Sequence, residues 1–318
     1  MRRLGLAFIL IALAVAAQAE TYPARTIRLI VPFPPGGAVD VLARLIAGKV
    51  SAQVGQPVII ENRPGAGGTL GADAVAKAAP DGYTILQNTN GAAIAPALYK
   101  SLPFDATKDF APVTQLVASN LILVASPKSG ITSLKDLLTR ARAEPGKLNY
   151  GSSGLGNPLH LTMEMLKHET GINIVAVPFR GDGQINTALI AGEVEVAVVP
   201  AATAVPLIKD GRIRALGMTG AKRSAALPEV PTIAEQGVPG FASSGWQGWF
   251  MPAATPSPVV DRIRQEVAKA LQLADVRARL DAMAYEPVGS TPAKFNAYYR
   301  AEIAKFTKVI ADAKIPKQ

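Results

Sequence analysis

The chain of 318 residues is 49% hydrophobic, which is enough for one large or two medium domains with packed cores. It contains no cysteine, and this excludes disulfides, thiolate nucleophiles and zinc sites built from cysteine. The formal net charge of +9 would raise the local concentration of anionic solutes, but a solvated basic surface is the default interpretation. The 33 lysines and arginines are scattered without interleaved aromatic residues, which argues against nucleic-acid binding.

The N-terminus has the pattern of a cleavable export signal. Two arginines precede an apolar run over 4–16 that is too short to span a bilayer comfortably, and Ala17-Gln18-Ala19 fits the small-x-small cleavage rule. We therefore predict a signal peptide over 1–19, a mature chain that starts at Glu20 and a soluble protein in the periplasm. No cysteine follows the cleavage point, so we expect no lipid anchor. A membrane anchor or a buried first helix is the alternative interpretation.

Strands alternate with helices in the first part of the mature chain. Strands are predicted over 26–31, 57–61 and 83–87, and each ends in a turn rich in glycine, proline or asparagine. Apolar residues at spacings near 3.6 predict a helix through 39–50, and a small helix follows over 71–79. Continuously apolar strands joined by helices are typical of a parallel sheet that is covered on both faces.

The same alternation restarts in the second half of the chain, and the split falls near residue 125. Ser133 and Asn157 have side chains that are preferred at helix N-caps, and a further helix carries Ile185 and Leu189. The strands predicted here lie over 121–125, 148–150, 174–177, 194–199 and 213–218.

The last third of the chain has a different pattern. Residues 220–240 are rich in proline and glycine, which is typical of a surface excursion. A strand is predicted over 246–251, and two amphipathic helices begin near residues 257 and 291. The alternation indicates an α/β fold class, but it does not assign these last helices to either half of the chain.

Small and polar residues follow nearly every predicted strand, directly before a helix. In parallel α/β sheets, ligands bind beyond the carboxyl ends of the strands. Helix N-termini at that edge present unpaired backbone N–H groups and a partial positive charge of about half an elementary charge. A single glycine-rich turn is best interpreted as a tight connection. Several such turns in both halves predict a cleft that binds an anion without charged side chains.

Four titratable residues lie beside these turns. Asp40 and Asp182 are interpreted as acids that cap the start of their own helices. His160, in the first turn after Asn157, is interpreted as a packed or capping histidine. Arg180 follows a predicted strand, and it either pairs with a ligand carboxylate in fork geometry or is simply exposed.

The sequence carries no motif for catalysis, for a metal or for a nucleotide cofactor. The glycine-rich turn at 65–71 departs from G-x-G-x-x-G because Leu70 occupies the last position. The turn at 151–155 does not match G-x-S-x-G, and the two histidines do not form an H-x-x-x-H pair. We therefore expect no catalytic residue, no metal site and no cofactor.

Seven motifs occur in order over almost the whole mature chain. They are IVPFPPGGAVD at 30–40, ENRPGAGG at 61–68, AKAAPDGYT at 76–84, YGSSG at 150–154, RALG at 214–217, AKRS at 221–224 and VPTIAE at 230–235. The ordered set resembles the Bug family, the extracytoplasmic receptors of tripartite tricarboxylate transport systems.

The resemblance implies a two-lobed periplasmic binding protein of the Venus-flytrap, type II-like kind, in which each lobe is a mostly parallel sheet flanked by helices. Lobe 1 would comprise 20–124 and 220–318, and lobe 2 would comprise 126–217, with hinge crossings near 124–126 and 218–219. The implied function is the capture of a small carboxylate-containing solute by a monomer. That solute would be a di- or tricarboxylate, an acidic amino acid or an aromatic acid, and it would be delivered to membrane permease components.

The resemblance also implies a set of ligand contacts, since the family holds carboxylates with backbone N–H groups and bridging waters from strand-end loops. In the first lobe these are Phe33, Gly36, Gly37, Ala38, Thr89 and Asn90. In the second lobe they are Ser152, Ser153, Asn157, Phe179, Arg180, Gly181 and Pro200. The chain departs from the family pattern in this lobe, where Phe179-Arg180-Gly181 replaces a Tyr-Lys-Gly turn, Asn157 replaces a small residue and Glu195 replaces an aspartate. These departures leave the identity of the acid open.

Two other functions stay open at this point. An exported sensor that presents a bound solute to a membrane signalling partner fits the same sequence pattern. An exported hydrolase is the third hypothesis, and it requires an activated nucleophile, a metal cluster or an intact phosphate loop.

Overall fold

The computed structural model describes residues 22–179 and 181–318. The signal peptide predicted over 1–19, the mature start expected at Glu20 and the predicted ligand contact Arg180 lie outside the described residues. Across the described part of the chain, eleven strands form two sheets, and helices pack on both.

The first sheet contains six strands from the two ends of the described chain. In spatial order its strands run β11-β4-β10-β3-β1-β2. Their bounds are Ile27–Val31 for β1, Val58–Asn62 for β2, Thr84–Thr89 for β3, Phe110–Ser119 for β4, Gly245–Pro252 for β10 and Tyr285–Pro287 for β11.

The second sheet contains five strands from the middle of the chain, in the spatial order β7-β6-β8-β5-β9. Their bounds are Leu121–Ala125 for β5, Asn149–Ser152 for β6, Val175–Pro178 for β7, Val196–Pro200 for β8 and Arg214–Met218 for β9.

Both sheets are mixed, so they are less parallel than the sequence predicted. Strand β1 pairs in parallel with β2 and β3, and β6 pairs in parallel with β7 and β8. Strands β5 and β10 run antiparallel to both of their neighbours. Parallel neighbours require a long crossover connection. Each of these two strands instead enters its sheet directly from the other sheet, which reverses its direction.

Ten α-helices connect the strands in the described residues. Helices α3 and α7, which the sequence analysis did not predict, are short and contain Pro96 and Pro206. Helix α9, also not predicted, has only nine residues. The bounds are Ala38–Val54 for α1, Thr69–Ala76 for α2, Gly91–Leu98 for α3, Leu134–Ala143 for α4, Pro158–Thr170 for α5, Asp182–Ala191 for α6, Ala201–Lys209 for α7, Ser257–Ala270 for α8, Ala274–Ala282 for α9 and Pro292–Asp312 for α10.

The helix starts predicted from N-cap side chains are confirmed. The Ser133 side chain accepts a hydrogen bond from the backbone N–H of Asp136 over 3.1 Å. The Asn157 side chain likewise accepts from the N–H of Leu159 over 2.9 Å. Each bond satisfies one of the N–H groups that a helix leaves unpaired at its start.

The chain passes from the first sheet to the second at Asn120, earlier than the predicted crossing near 124–126. The reason is that Leu121–Ala125 is hydrogen-bonded between β8 and β9. The return crossing lies near Ser244 instead of at 218–219. The segment after β9 stays with the second sheet, because Met218 exchanges backbone hydrogen bonds with Pro231 and Ile233.

The C-terminal helix α10 joins the two halves of the molecule. It packs against α3 and β4 of the first half and against α5 of the second. Phe295, Phe306 and Ile310 of α10 share one buried apolar cluster with Leu161 and Leu166 of α5. Among the described residues, no helix is both long and apolar enough to cross a bilayer.

Candidate functional site

A cleft of about 410 Å³ lies between the two sheets, at the edge where helices start. Its walls include the start of α1, the N-caps of α3 and α7, and the first residues of α5 and α6. The residues that line it are Phe33, Val39, Thr89, Asn90, Ser119, Leu121, Ser153, Asn157, Pro158, Leu159, Gly181, Asp182, Pro200, Gly245, Trp246, Gln247 and Tyr285.

The cleft continues into a second space of about 320 Å³ between α3 and the loop that joins β6 to α5. Phe33, Thr89, Ser153, Asn157 and Pro158 line both spaces. Together the two volumes are of the size that small-molecule sites have.

The structure brings seven of the thirteen predicted contacts to the wall of the cleft. They are Phe33, Thr89, Asn90, Ser153, Asn157, Gly181 and Pro200. Gly36, Gly37 and Ala38 directly precede Val39, which does line it. Ser152 and Phe179 do not line the cleft. The backbone N–H of Phe179 donates to the carbonyl of Ser152 over 2.7 Å, so these two backbone groups pair with each other.

The loop between β1 and α1 is held in shape by Asp40. Its buried carboxylate accepts from the backbone N–H of Gly36 over 2.9 Å, from Arg44 over 2.8 Å and from the side-chain amide of Asn62 over 2.9 Å. Asn62 also donates to the carbonyl of Phe33. Gly36 has φ of 81°, a left-handed conformation that favours glycine. The N–H of Gly36 is therefore occupied by Asp40, whereas the N–H groups at the first positions of α1 have no partner within the helix.

The Asp40 network predicts a loss of stability in acid. The hydrogen bond from Arg44, with those from Gly36 and Asn62, lowers the pKa of Asp40 from 3.8 to about 2. Because the folded pKa is depressed, this stabilisation of about 2 kcal/mol is present above pH ~4 and is lost as the pH falls towards ~2. We expect Asp40→Asn to lower the free energy of unfolding by about that amount at pH ~6. Urea denaturation should show the gap between the two proteins shrinking below pH ~4, and a gap independent of pH would contradict this role.

Asn90 lines the cleft, but the polar atoms of its side chain are engaged inside the protein. Its oxygen accepts from the backbone N–H of Trp246 over 2.8 Å, and its nitrogen donates to the carbonyl of Ser244 over 3.0 Å. The same nitrogen lies 3.4 Å from the buried carboxylate of Glu302, which also accepts from the indole of Trp246. Asn90 therefore ties the start of α3 to β10 and α10, and only its backbone is available to a ligand.

The loop that joins β6 to α5 presents a buried hydroxyl with no partner. The Ser153 Oγ is shielded from solvent and makes no hydrogen bond in the part of the chain that the structure describes. Buried polar groups are nearly always paired, so this oxygen is suited to a ligand or to a water bound with it. Ser153 lines both spaces of the cleft.

His160 holds the same loop through a hydrogen bond to its backbone. Its Nδ1 accepts from the N–H of Gly156 over 3.4 Å, and its Nε2 lies 4.0 Å from the carboxylate of Glu164. Tyr150 and Lys167 also donate to Glu164. Burial lowers the pKa of His160, so the ring is neutral at pH ~7 and can accept this bond. The interpretation of His160 as a packed or capping residue is confirmed.

Two residues of the cleft that the sequence analysis missed, Gln247 and Tyr285, are joined to the buried Gln87 in a chain of polar side chains. Gln87 donates to the carbonyl of Val39 over 2.9 Å and to the side chain of Gln247 over 2.8 Å. Gln247 in turn donates to the hydroxyl of Tyr285 over 2.8 Å. Burial raises the pKa of Tyr285, so its hydroxyl keeps a hydrogen that it can donate to a ligand. The sequence signal that could have identified this chain is the presence of a glutamine within each of two otherwise largely apolar strands, β3 and β10.

The arrangement suits an anion held by neutral donors. Among the described residues that line the cleft, no side chain is cationic, and backbone N–H groups at helix starts face it from both sheets. No group of three histidine, aspartate or glutamate side chains in 22–179 and 181–318 has the geometry of a metal site.

Comparison with known proteins places the chain in a family. Residues 42–315 match the family described as "Tripartite tricarboxylate transporter family receptor". The chain belongs to this receptor family. This receptor has a curated relative in Pseudomonas sp. (strain P51), the "UPF0065 protein in tcbD-tcbE intergenic region", which is 38% identical over 94% of this chain and 90% of that protein. Protein BugT of Bordetella pertussis is 35% identical over 94% of the receptor and 93% of BugT.

Solved structures agree with this assignment. The structure of Rpa4515 from R. palustris with adipate is 36% identical, has a TM-score of 0.78, and covers 93% of the receptor and 100% of its own chain. MatC from Rhodopseudomonas palustris with bound malate is 33% identical, with a TM-score of 0.74 over 91% of the receptor and 100% of MatC. The fold is that of a type II periplasmic binding protein, and the family is one of transport receptors that perform no catalysis.

Proposed function

We propose that this receptor is exported to the periplasm, captures a small carboxylate-containing solute as a monomer, and delivers it to the membrane components of a tripartite transporter. Each sheet forms the centre of one lobe. Lobe 1 comprises 22–119 and 245–318, and lobe 2 comprises 121–243. Asn120 and Ser244 are the hinge positions. Closure of the lobes about a bound solute is the motion that periplasmic binding proteins use.

The observation that carries this proposal is the cleft between the sheets, where five helix starts converge on a space to which no described residue contributes a cationic side chain. Helix N-termini attract anions through their unpaired N–H groups and their dipole. The adipate in Rpa4515 and the malate in MatC support a carboxylate as the ligand, because both proteins share more than 30% of their sequence with this receptor.

The contacts available are sufficient for useful affinity. A dissociation constant near 1 μM corresponds to about 8 kcal/mol. Hydrogen bonds to a charged group contribute about 1.5–3 kcal/mol each, so a handful of N–H groups with the hydroxyls of Ser153 and Tyr285 reach that value after the cost of association.

Isothermal titration calorimetry with a panel of di- and tricarboxylates, acidic amino acids and aromatic acids tests the proposal. We expect at least one acid to bind with a dissociation constant of about 10 μM or tighter. Native mass spectrometry of the receptor purified from its own periplasm should find an acid retained in it. Binding of neutral sugars with no response to any acid would contradict the proposal.

Replacing Ser153 by alanine should weaken binding without lowering stability. The Oγ has no protein partner to lose, whereas a ligand carboxylate would lose one hydrogen bond, equivalent to about a tenfold increase in the dissociation constant. Calorimetry and thermal denaturation measure the two effects separately. Ser101→Ala, at an exposed serine that does not line the cleft, is the matched control. Equal affinity of Ser153→Ala and the wild-type protein would show that Ser153 does not contact the ligand.

A further inference from the structure

Tyr285 ends a chain of hydrogen bonds whose direction is fixed at its start. The indole N–H of Trp249 can only donate, and it donates to the Oε1 of Gln87 over 2.8 Å. The Nε2 of Gln87 donates over 2.9 Å to the backbone carbonyl of Val39, a group that can only accept. A one-way donor and a one-way acceptor therefore leave a single orientation for the side-chain amide of Gln87.

The orientation of Gln87 fixes the rest of the chain. Its Nε2 also donates to the Oε1 of Gln247 over 2.8 Å, so the Nε2 of Gln247 is the atom that faces Tyr285. That nitrogen donates to the Tyr285 hydroxyl over 2.8 Å. Both glutamines are buried, so water does not compete to turn their amides. Because the hydroxyl oxygen already receives a hydrogen from Gln247, the hydroxyl must donate its own hydrogen to another group.

The cleft is where that other group is to be found. Tyr285 lines the cleft and pairs across β4 with Ser119, directly before Asn120, where the chain passes to the second sheet. Among the described residues, no group accepts a hydrogen bond from the Tyr285 hydroxyl. The side chain of Arg180, which lies outside the described residues, carries donors alone and cannot accept it either. A solute in the cleft is therefore the acceptor that suits this hydroxyl.

We infer that Tyr285 is a specificity-determining residue that requires a hydrogen-bond acceptor on the solute, and that Gln247 is the residue that positions its hydroxyl. The inference rests on the proposed function, since it assumes that a carboxylate-containing solute enters this cleft. A carboxylate has lone pairs and no hydrogen, so it satisfies the hydroxyl, whereas a group that carries only donors does not. A hydroxyl held as a donor thus favours anions in a cleft to which no described residue contributes a cationic side chain.

The experiment removes the hydroxyl and keeps the ring. Calorimetry with succinate, malate, adipate, citrate, glutamate and benzoate first identifies the acid that binds the wild-type protein most tightly. Tyr285→Phe should raise the dissociation constant for that acid by about 10- to 100-fold. The matched control is Tyr83→Phe, which removes a hydroxyl that accepts from the backbone N–H of Ala24 outside the cleft, and it should leave the affinity unchanged. Thermal denaturation checks that both variants are folded.

A double-mutant cycle with Gln247→Leu tests the positioning role. Without the bond from Gln247 the hydroxyl can turn either way, so this variant should bind the same acid about three- to tenfold more weakly. Added to Tyr285→Phe, the same change should alter the dissociation constant by less than about twofold, because the hydroxyl that Gln247 positions is already absent. A purely structural role, or a direct contact between Gln247 and the acid, would instead give the same loss in both backgrounds.

Each outcome bears on a different part of the inference. Wild-type affinity in Tyr285→Phe, or an equal loss in Tyr83→Phe, would overturn the role of Tyr285. An additive loss in the double variant would overturn the role of Gln247. Absence of binding by every acid to the wild-type protein would instead refute the proposed function itself.

Discussion

Replacing Ala38 by proline is expected to weaken carboxylate binding by about 10- to 100-fold and to leave the fold intact. Ala38 is the first residue of α1, where the N–H has no partner within the helix. Proline removes that donor alone, and the loss of one hydrogen bond to a charged group costs about 1.5–3 kcal/mol. Proline is well accepted at a first helical position. The preceding Gly37 already has φ of −74° and ψ of 167°, which suits a residue before proline.

A matched control exists in α9, which starts outside the cleft. Ala274 is the first residue of that helix and is exposed, and the preceding Leu273 has φ of −64° and ψ of 136°. Ala274→Pro should therefore fold and bind like the wild-type protein. Calorimetry provides the affinities, and thermal denaturation shows that both variants are folded. Unchanged affinity in Ala38→Pro would mean that the start of α1 does not hold the ligand.

Replacing Glu302 by alanine is expected to destabilise the protein by about 3 kcal/mol, because it removes a buried carboxylate that pairs with the half-buried Lys305 and accepts from buried donors. Glu302 is 4% exposed, accepts from the indole of Trp246 over 3.1 Å and is paired with Lys305. Its loss leaves the indole and the Asn90 amide short of an acceptor. Since Trp246 and Asn90 line the cleft, ligand affinity should fall as well.

Two further variants separate the loss of charge from the loss of the acceptor. Glu302→Gln keeps an oxygen for the indole, so its destabilisation should be clearly smaller than that of Glu302→Ala. Asp312→Ala removes an acid of the same helix whose partners, Lys308 and His168, are exposed, and it should leave the unfolding midpoint near that of the wild-type protein. Urea denaturation compares all of them. Equal midpoints for Glu302→Ala and Asp312→Ala would contradict the role given to the buried carboxylate.

The parts of the fold that depend on local chemistry were predictable from the sequence. Ser133 and Asn157 cap their helices with their own side chains, so the signal lies within four residues of the bond. The strand-end turns were predictable for the same reason, and with them the edge where the cleft forms. Helix α3 was not, because Pro96 interrupts its helical pattern and its packing against the distant α10 stabilises it.

The features that depend on distant partners were not predictable. The apolar strand Leu121–Ala125 suits either sheet, and only its pairing with β8 and β9 shows that the chain passes to the second sheet before it, at Asn120. The side chain of Asn90 points to protein partners because Glu302 and Trp246, more than 150 residues later, lie beside it. Asp182 looked like a simple helix cap from its neighbours, and its place in the cleft follows from how the two sheets face each other.

The crystal structure of the receptor with its tightest-binding acid is the most direct test of the account. We expect a carboxylate of the ligand to accept hydrogen bonds from main-chain N–H groups at the starts of α1 and α3, at donor–acceptor distances of about 3 Å, directly or through one water. A carboxylate held by lysine or arginine side chains outside the cleft, with those N–H groups facing only solvent, would contradict it.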